Sequence, residues 1–278
     1  MRVKYRKSVV PSPAPYESAM AAREGMFRKK LLHERSLRGR VGGMNDVGVL
    51  SVVATPIGNL GDITLRAVET LKAADAIACE DTRVTAKLLA RYGVEKPLVI
   101  YHARSGKLAA DRVLALLSDG KRVALVTDAG TPGISDPGLE LVALVRERFN
   151  GHVRIEAIPG PAALTAALSI AGLPTASFVF LGFIPHKKGR QTLFREIAAE
   201  ERAVVFYESP HRVEKALLAL ADVLGPARRV AVCRELTKIH ESVVVGTATE
   251  VAAYFAAHAD EVRGEFVVVI GPGVRDRD

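Results

Sequence analysis

Cysteine is scarce in this chain of 278 residues: Cys79 and Cys233 each sit inside an apolar run, and there is no Cys-x-x-Cys pair. A disulfide framework is excluded, and both thiols are expected as small buried hydrophobes in a reducing compartment. Long hydrophobic runs are missing as well. No apolar stretch approaches the roughly 18 residues of a membrane helix, and no charged-then-apolar leader opens the chain. The expectation is a soluble, cytoplasmic protein with no membrane partner. Phosphate loops are lacking too. The turn after the first strand-like run fails the G-x-G-x-x-G pattern because Pro56 stands at the first glycine, and no Gly-Lys-Ser/Thr loop occurs, so nicotinamide or ATP chemistry has little support. His33, His102, His152, His240 and His258 are scattered without metal-ligand spacing, which predicts no metal. No Gly-x-Ser-x-Gly elbow exists to support a serine triad.

What is present is ordinary globular material, 49% hydrophobic and 25% charged, enough for a proper core in two domains or one large one. The net charge of +8 is unevenly held. Residues 1–47 carry eleven Lys/Arg against four acids, while the remaining 231 residues hold 28 bases and 27 acids. The first 47 residues, with their Pro-Ser-Pro-Ala-Pro run, therefore read as a disordered basic extension. It is either an electrostatic tether for RNA or the product of an upstream start, since Met44 lies just before the fold. Any nucleic-acid argument for the globular part must rest on local clusters.

From residue 49 apolar runs at 49–54, 75–79, 98–101, 122–127 and 153–158 alternate with helical periodicity. Alternating β and α units of this length predict a parallel sheet covered by helices, and strands apolar almost throughout agree with burial on both sides. A small-residue helix, 161–171, leads to Gly172-Leu173-Pro174, which marks a domain boundary. Beyond it, runs at 178–183, 203–207, 229–235, 242–246 and 265–270 are interrupted by helices at 188–200, 211–223 and 248–257. The run pair 229–235 and 242–246, with no helix between, implies antiparallel pairing. The expected architecture is α/β: a parallel-sheet domain at 48–172 and a mixed-sheet domain at 173–274.

Five segments carry chemistry. TPIGNLGD (55–62) reads alone as a glycine turn with Asp62 or Thr64 capping the next helix. TDAGTPGISDPG (127–138) follows the fourth strand, where α/β sheets bind ligands. Its glycines expose backbone, its prolines stiffen it, and Asp128 offers an acceptor. That suits a polar ligand without phosphate, against the alternative of a long tight turn. ACEDTR (78–83) holds two carboxylates and an arginine that could act as base, orienting group and anion anchor, or simply as a helix cap with an ion pair. FYESPHR (206–212) offers a stacking face in Tyr207, a helix start at Pro210 and phosphate donors in His211 and Arg212. PHKKGR (185–190), with Lys187, Lys188 and Arg190, is the dense basic patch of the folded part. It suits a polyanion or a solvated helix start.

Taken in order, TPIGNLGDIT (55–64), EDTR (80–83), TDAGTPGISDPG (127–138), PGPAALTAALSIAGLP (159–174), GFIPHKKGR (182–190), FYESPHR (206–212), RELTKIHE (234–241) and GEFVVVI (264–270) resemble the ribosomal small-subunit methyltransferase I family of the tetrapyrrole-methylase superfamily. The resemblance spans about 48–273. It implies a two-domain fold with a cofactor cleft between the domains, S-adenosylmethionine as methyl donor and a homodimer. It also implies 2′-O-methylation of a cytidine ribose in the decoding region of 16S rRNA within the 30S subunit. By the same resemblance Asp128, Ala129, Gly130, Thr131, Ile134 and Ser135 wrap the cofactor, with Pro56, Ala162, Ala163, Phe206 and Tyr207 lining its other sides. For the reaction, Glu80, Asp81 and Glu208 are candidate bases, and Lys238 or Arg83 would hold the hydroxyl or a neighbouring phosphate. Carbon methylation of a tetrapyrrole, a diphthamide-type protein methyltransferase and a non-catalytic RNA-binding factor remain as alternatives.

Overall fold

The computed structural model describes residues 47–102, 106–136 and 138–273. The basic extension, up to residue 46, lies outside them. Five parallel strands form the first sheet: β1 (Val49–Val53), β2 (Ala76–Cys79), β3 (Leu98–Ile100), β4 (Arg122–Leu125) and β5 (Arg154–Ile158). They lie in the order β3-β2-β4-β1-β5. The helices between them are α1 (Leu65–Ala73), α2 (Thr82–Arg91), α3 (Gly106–Ser118) and α4 (Gly138–Phe149). Side chains alternate across the central strands. On one face Val53, Ile77, Cys79 and Ala124 pack with Ala67, Leu71 and Leu89 of α1 and α2. On the other Leu50, Ala78, Val123 and Leu125 pack with Val113, Leu117, Leu141 and Val145 of α3 and α4. Both faces are dry, which is why the central strands read as unbroken apolar runs. At the edge, β5 is only partly covered, running from exposed Arg154 to buried Ile158.

Local chemistry sets the helix starts. The Thr64 hydroxyl accepts from the Ala67 N–H at 3.1 Å and caps α1, whereas Asp62 belongs to the short 3₁₀ turn Leu60–Asp62 capped by Asn59. Asp81 caps α2 by accepting from the Arg83 N–H at 2.8 Å.

After α5 (Ala163–Ile170) comes the second sheet, of β6 (Phe178–Phe183), β7 (Ala203–Glu208), β8 (Arg229–Arg234), β9 (Ser242–Thr247) and β10 (Phe266–Ile270). Its order is β6-β7-β10-β8-β9, with β6 parallel to β7 and every other pairing antiparallel. The mixed sheet and the antiparallel β8–β9 pair agree with the sequence reading. One face of this sheet buries Val204, Phe206, Val232, Val268 and Ile270 against α6 (Arg190–Ala199), α7 (Pro210–Val223) and α8 (Ala248–Ala257). The other face presents Val205, Ala231, Cys233, Val267 and Val269 to α5 and to Ile57 from the first sheet's β1 loop. That second cluster joins the two sheets, and the candidate site lies at its margin. Cys79 and Cys233 are both buried, and burial drives the Cys233 thiol up to about 11.

Candidate functional site

The first sheet reverses its winding between β1 and β4: β1 leads across to β2, and β4 leads back to β5. Ligands of open α/β sheets settle at the carboxyl ends of strands at such a point. Here the loops leaving β1 and β4 are laced together. The Thr55 N–H donates to the Gly130 carbonyl at 2.8 Å, and the Gly130 N–H donates to Thr55 at 3.1 Å. The buried Thr55 hydroxyl also donates to the Thr127 carbonyl at 3.0 Å. Gly130 reaches this pairing with φ of +90°, where an added side chain would meet ordinary contacts, Ile57 at 3.5 Å and the Pro161 carbonyl at 3.9 Å. The need for glycine there is conformational, not steric.

The rest of the loop is pinned from three sides. Thr131 donates to the Pro161 carbonyl at 3.1 Å. Asp136 Oδ1 accepts from the N–H groups of Gly133 at 2.8 Å and Gly138 at 2.7 Å. Asp128 Oδ1 accepts from the Asp81 N–H at 3.1 Å, tying the β2 loop to the β4 loop. Asp128, Ala129, Ile134 and Ser135 remain exposed, and Ser135 holds φ of 66° although it is not glycine. The bend thus stays rigid while its outer surface faces solvent. Pro56 is buried beside it.

The two carboxylates after β2 differ. Asp81 pairs with Arg83 at 2.6 Å, and these hydrogen bonds hold its carboxyl near 2. Glu80 accepts a hydrogen bond from the Thr127 hydroxyl. Burial raises the Glu80 pKa, the Thr127 hydrogen bond opposes that rise, and the nearby charge of Asp128 adds to it. Of the two, Glu80 is the stronger base, its pKa raised where that of Asp81 is lowered. From the second sheet, the Tyr207 hydroxyl accepts from the Leu164 N–H at 3.1 Å, at the start of α5 where Ala162 and Ala163 stand. Lys238 lies over the β1 loop, and a Cβ on Gly58 would come within 2.5 Å of its Cγ.

Pro56, the 128–135 loop, Ala162, Ala163, Tyr207, Glu80, Asp81, Arg83 and Lys238 stand on loops and strand ends joined by these contacts. Three expectations need correction. Phe206 points to the opposite face of β7 from Tyr207 and is wholly buried among α6–α8 side chains, so its ring lines no cleft. Glu208 follows the same alternation and is 2% exposed. It is clamped by Arg190 at 3.1 Å and Arg212 at 2.6 Å, leaving it no role as a base. Arg190 and Arg212 are in turn committed to Glu208, so the exposed cations of that region are Lys187 and Lys188, with His186 and His211 beside them. Lys238 donates to Glu235 at 2.8 Å and to Glu265 at 3.1 Å. These bonds keep its amine charged although burial works the other way.

Sequence reasoning missed Thr55 and Thr127, whose hydroxyls organise the β1 and β4 loops. The only sequence signal for either is a threonine closing an apolar run. Among the described residues no group of three or more His, Cys, Asp or Glu is arranged to hold a metal. The Asp128–Ser135 bend carries a carboxylate, open peptide groups and no cationic side chain. That donor set fits a cationic sulfonium nucleoside such as S-adenosylmethionine and does not fit a phosphate.

Comparison with known proteins follows the same lines. The family model "Tetrapyrrole (Corrin/Porphyrin) Methylases" matches residues 49–252. A Mesorhizobium japonicum protein named "Ribosomal RNA small subunit methyltransferase I" is 46% identical over 82% of this chain and 77% of its own length. Proteins of the same name from Thermotoga maritima (41% identical over 81% of this chain and 98% of its own) and Bacillus subtilis (43%, over 82% and 76%) are similar as well. Among solved structures, a cobalt precorrin-4 methyltransferase superposes with a TM-score of 0.60 at 17% identity, covering 84% of this chain and 98% of that one. A uroporphyrin-III-C-methyltransferase from Thermus thermophilus gives 0.57 at 20% identity, covering 81% and 94%. At those identities the structures speak for the fold alone.

Proposed function

Because the chain belongs to the ribosomal RNA small subunit methyltransferase I family of tetrapyrrole methylases, we propose that it methylates the 2′-oxygen of a cytidine ribose in the decoding region of 16S rRNA. The methyl donor is S-adenosylmethionine and the substrate is the 30S subunit. Two lobes, 48–172 and 173–274, flank the cofactor, and the protein works as a cytoplasmic homodimer without metal. The observation that carries this reading is the agreement of relatives 41–48% identical over most of the chain on one named activity. The rigid bend after β4 supports it, as a surface suited to that cofactor.

The cofactor supplies a methyl group already activated by its sulfonium. The chain's part is alignment and proton removal, since a ribose hydroxyl is a weak nucleophile near neutral pH. Asp128 through Ser135 hold the donor through peptide groups, with Pro56, Ala162, Ala163 and Tyr207 around it. Glu80, with its raised pKa and its Thr127 partner, takes the hydroxyl proton. Asp81, held near 2, is too weak a base, and its pairing with Arg83 instead fixes the start of α2. Lys238, kept cationic by Glu235 and Glu265, is suited to a substrate oxygen or phosphate. Lys187 and Lys188 attract the RNA backbone.

The decisive experiment is ribose-methylation mapping of rRNA from a strain lacking this protein, paired with methyl transfer by purified protein to small subunits from that strain. A 2′-O-methyl cytidine lost from the strain and restored in the tube is expected. An unchanged methylation map would sink the assignment.

A further inference from the structure

Phe183 stands on a face of the second sheet that strict alternation would deny it. Along β6, Leu181 packs with the helices on the outer face, and Phe180 packs with the inner cluster around Tyr207. Two residues beyond Leu181, Phe183 should share Leu181's side. It does not, because the register slips: Phe180 pairs with Val205 and Phe183 with Tyr207, three residues of β6 against two of β7. Gly182 absorbs the extra residue at φ of +62°, and Ile184 returns to the outer core. Such a bulge re-aims a side chain and is found next to active sites.

The re-aimed ring has support beneath it and solvent above it. Phe183 meets the edge of Tyr207 at 5.4 Å between centroids, Phe180 meets Tyr207 at 5.0 Å, and yet Phe183 is 59% exposed. A Cβ on Gly182 would lie 2.9 Å from Ser135 Oγ, so the bulge abuts the rigid bend of the candidate cofactor site. Downstream the chain is exposed from Pro185 to Gly189, through His186, Lys187 and Lys188. Its position is fixed from below. Arg212 donates to the Ile184 carbonyl at 3.3 Å and Arg190 to the Pro185 carbonyl at 3.1 Å, and both guanidinium groups are anchored on buried Glu208. The molecule therefore presents an open aromatic face, backed by two further rings, within a few residues of the exposed cations Lys187 and Lys188. Single-stranded nucleic acid is bound by that combination, with bases stacking on aromatics and phosphates on cations.

We propose that Phe183 is a stacking platform for an unpaired base of the RNA substrate, placed at the mouth of the methyl-transfer site by the β6 bulge. This rests on the RNA-methylating reading above and adds a substrate-contacting residue to it. An RNA base is favoured over a protein surface because the ring is continuous with the basic segment.

The test compares full-length Phe183→Leu and Phe183→Trp with the wild type, using a short, unstructured, fluorescein-labelled RNA over a range of salt. S-adenosylmethionine affinity by calorimetry, sedimentation, and methyl transfer to small subunits complete the set. Phe183→Leu keeps an apolar side chain at an exposed position and so preserves the fold. Its RNA affinity should fall about tenfold or more, as loss of one base–aromatic stack does. Phe183→Trp should recover most of that affinity. The salt slope should match the wild type, because the phosphate contacts remain, and cofactor affinity should not change. Unchanged RNA affinity in Phe183→Leu would overturn the proposal. So would an equal loss of cofactor affinity, which would give the ring to the cofactor's adenine. Altered sedimentation with RNA affinity intact would overturn it too, by making Phe183 a subunit contact. If the wild type methylates small subunits while Phe183→Leu binds RNA normally, only the stacking role falls. If the wild type transfers no methyl group at all, the underlying reading falls with it.

Discussion

At the scale of single residues, two positions carry opposite kinds of constraint. Gly130 is constrained by backbone: at φ of +90° a side chain costs about 1–2 kcal/mol even though nothing stands closer than Ile57. Gly130→Ala should lower stability by that amount in urea unfolding. It should also weaken S-adenosylmethionine binding measurably in calorimetry, because the Thr55 pairing that rigidifies the bend depends on that φ. Equal affinity for the cofactor in a folded Gly130→Ala protein would remove the bend from the site. Glu80 is constrained by its surroundings. Its ordinary value of 4.5 is raised in the fold, chiefly by burial and further by Asp128, so the folded state prefers the proton more than the unfolded chain does. The stability associated with Glu80 is therefore fully present below pH 4.5 and is lost as pH rises through the raised pKa. Glu80→Gln, which keeps the shape and removes the charge, should gain stability over the wild type as pH climbs from 4 to 8. It should be indistinguishable from the wild type in acid. If Glu80 is the base, the same variant should lose about a hundredfold or more in methyl transfer. Stability that tracks the wild type at every pH would contradict the buried-carboxyl account, and undiminished turnover would remove Glu80 as base.

At the scale of elements, the end of α6 shows how one side chain can finish a helix. Arg228 is 4% exposed, and among the described residues no carboxylate forms an ion pair with it. Its guanidinium donates to the carbonyls of Ile197, Ala198, Glu200, Arg202 and Gly271 at 2.7–3.3 Å. Carbonyls at a helix C-terminus carry partial negative charge, which offsets the cost of burying the cation. Lysine has neither the planar fork nor the number of donors. Arg228→Lys should therefore cost about 2–4 kcal/mol in unfolding experiments, with cofactor affinity retained because Arg228 lies at the end of β8 remote from Glu235. Elements of this kind were legible to different degrees. All ten strands and the principal helices follow from apolar runs, glycine punctuation and caps such as Thr64 and Asp81. The order of strands does not, because it depends on crossovers that local pattern does not encode. The faces of β7 were readable in principle: Phe206 and Glu208 flank Tyr207, so period-two alternation puts them opposite it. Treating FYESPHR as one ligand segment ignored that periodicity. The bulge at Gly182 was not legible, since a glycine within an apolar run does not say whether the register slips.

At the scale of the whole molecule, the site depends on how the two sheets are joined, and here the motifs marked its parts but not its assembly. Asp128 to Ser135 was recognisable from glycine and proline content after a strand. That Thr55 pairs with Gly130, or that Ile57 reaches the second sheet's cluster, is a long-range fact. On its α5 side the seam is rich in alanine, with Ala163, Ala166 and Ala167. Ala167 of α5 is wholly buried against the second sheet, and its carbonyl lies 3.9 Å from the Cys233 thiol. Close packing there leaves no room for growth, and added methylenes in a filled core cost about 1–3 kcal/mol. Ala167→Leu should destabilise the protein by that amount and wedge α5 away from the second sheet. The displacement falls where it matters: the same helix begins at Ala162 and Ala163, and its Leu164 N–H holds the Tyr207 hydroxyl. Cofactor affinity should therefore drop several-fold although Ala167 touches no ligand-facing residue. Ala167→Ser, close to alanine in volume, should leave affinity near the wild-type value and so separates a packing effect from a mere change of residue. If Ala167→Leu unfolds at lower urea yet binds S-adenosylmethionine as the wild type does, the cleft is set by the first sheet's loops alone, and the seam has no part in it.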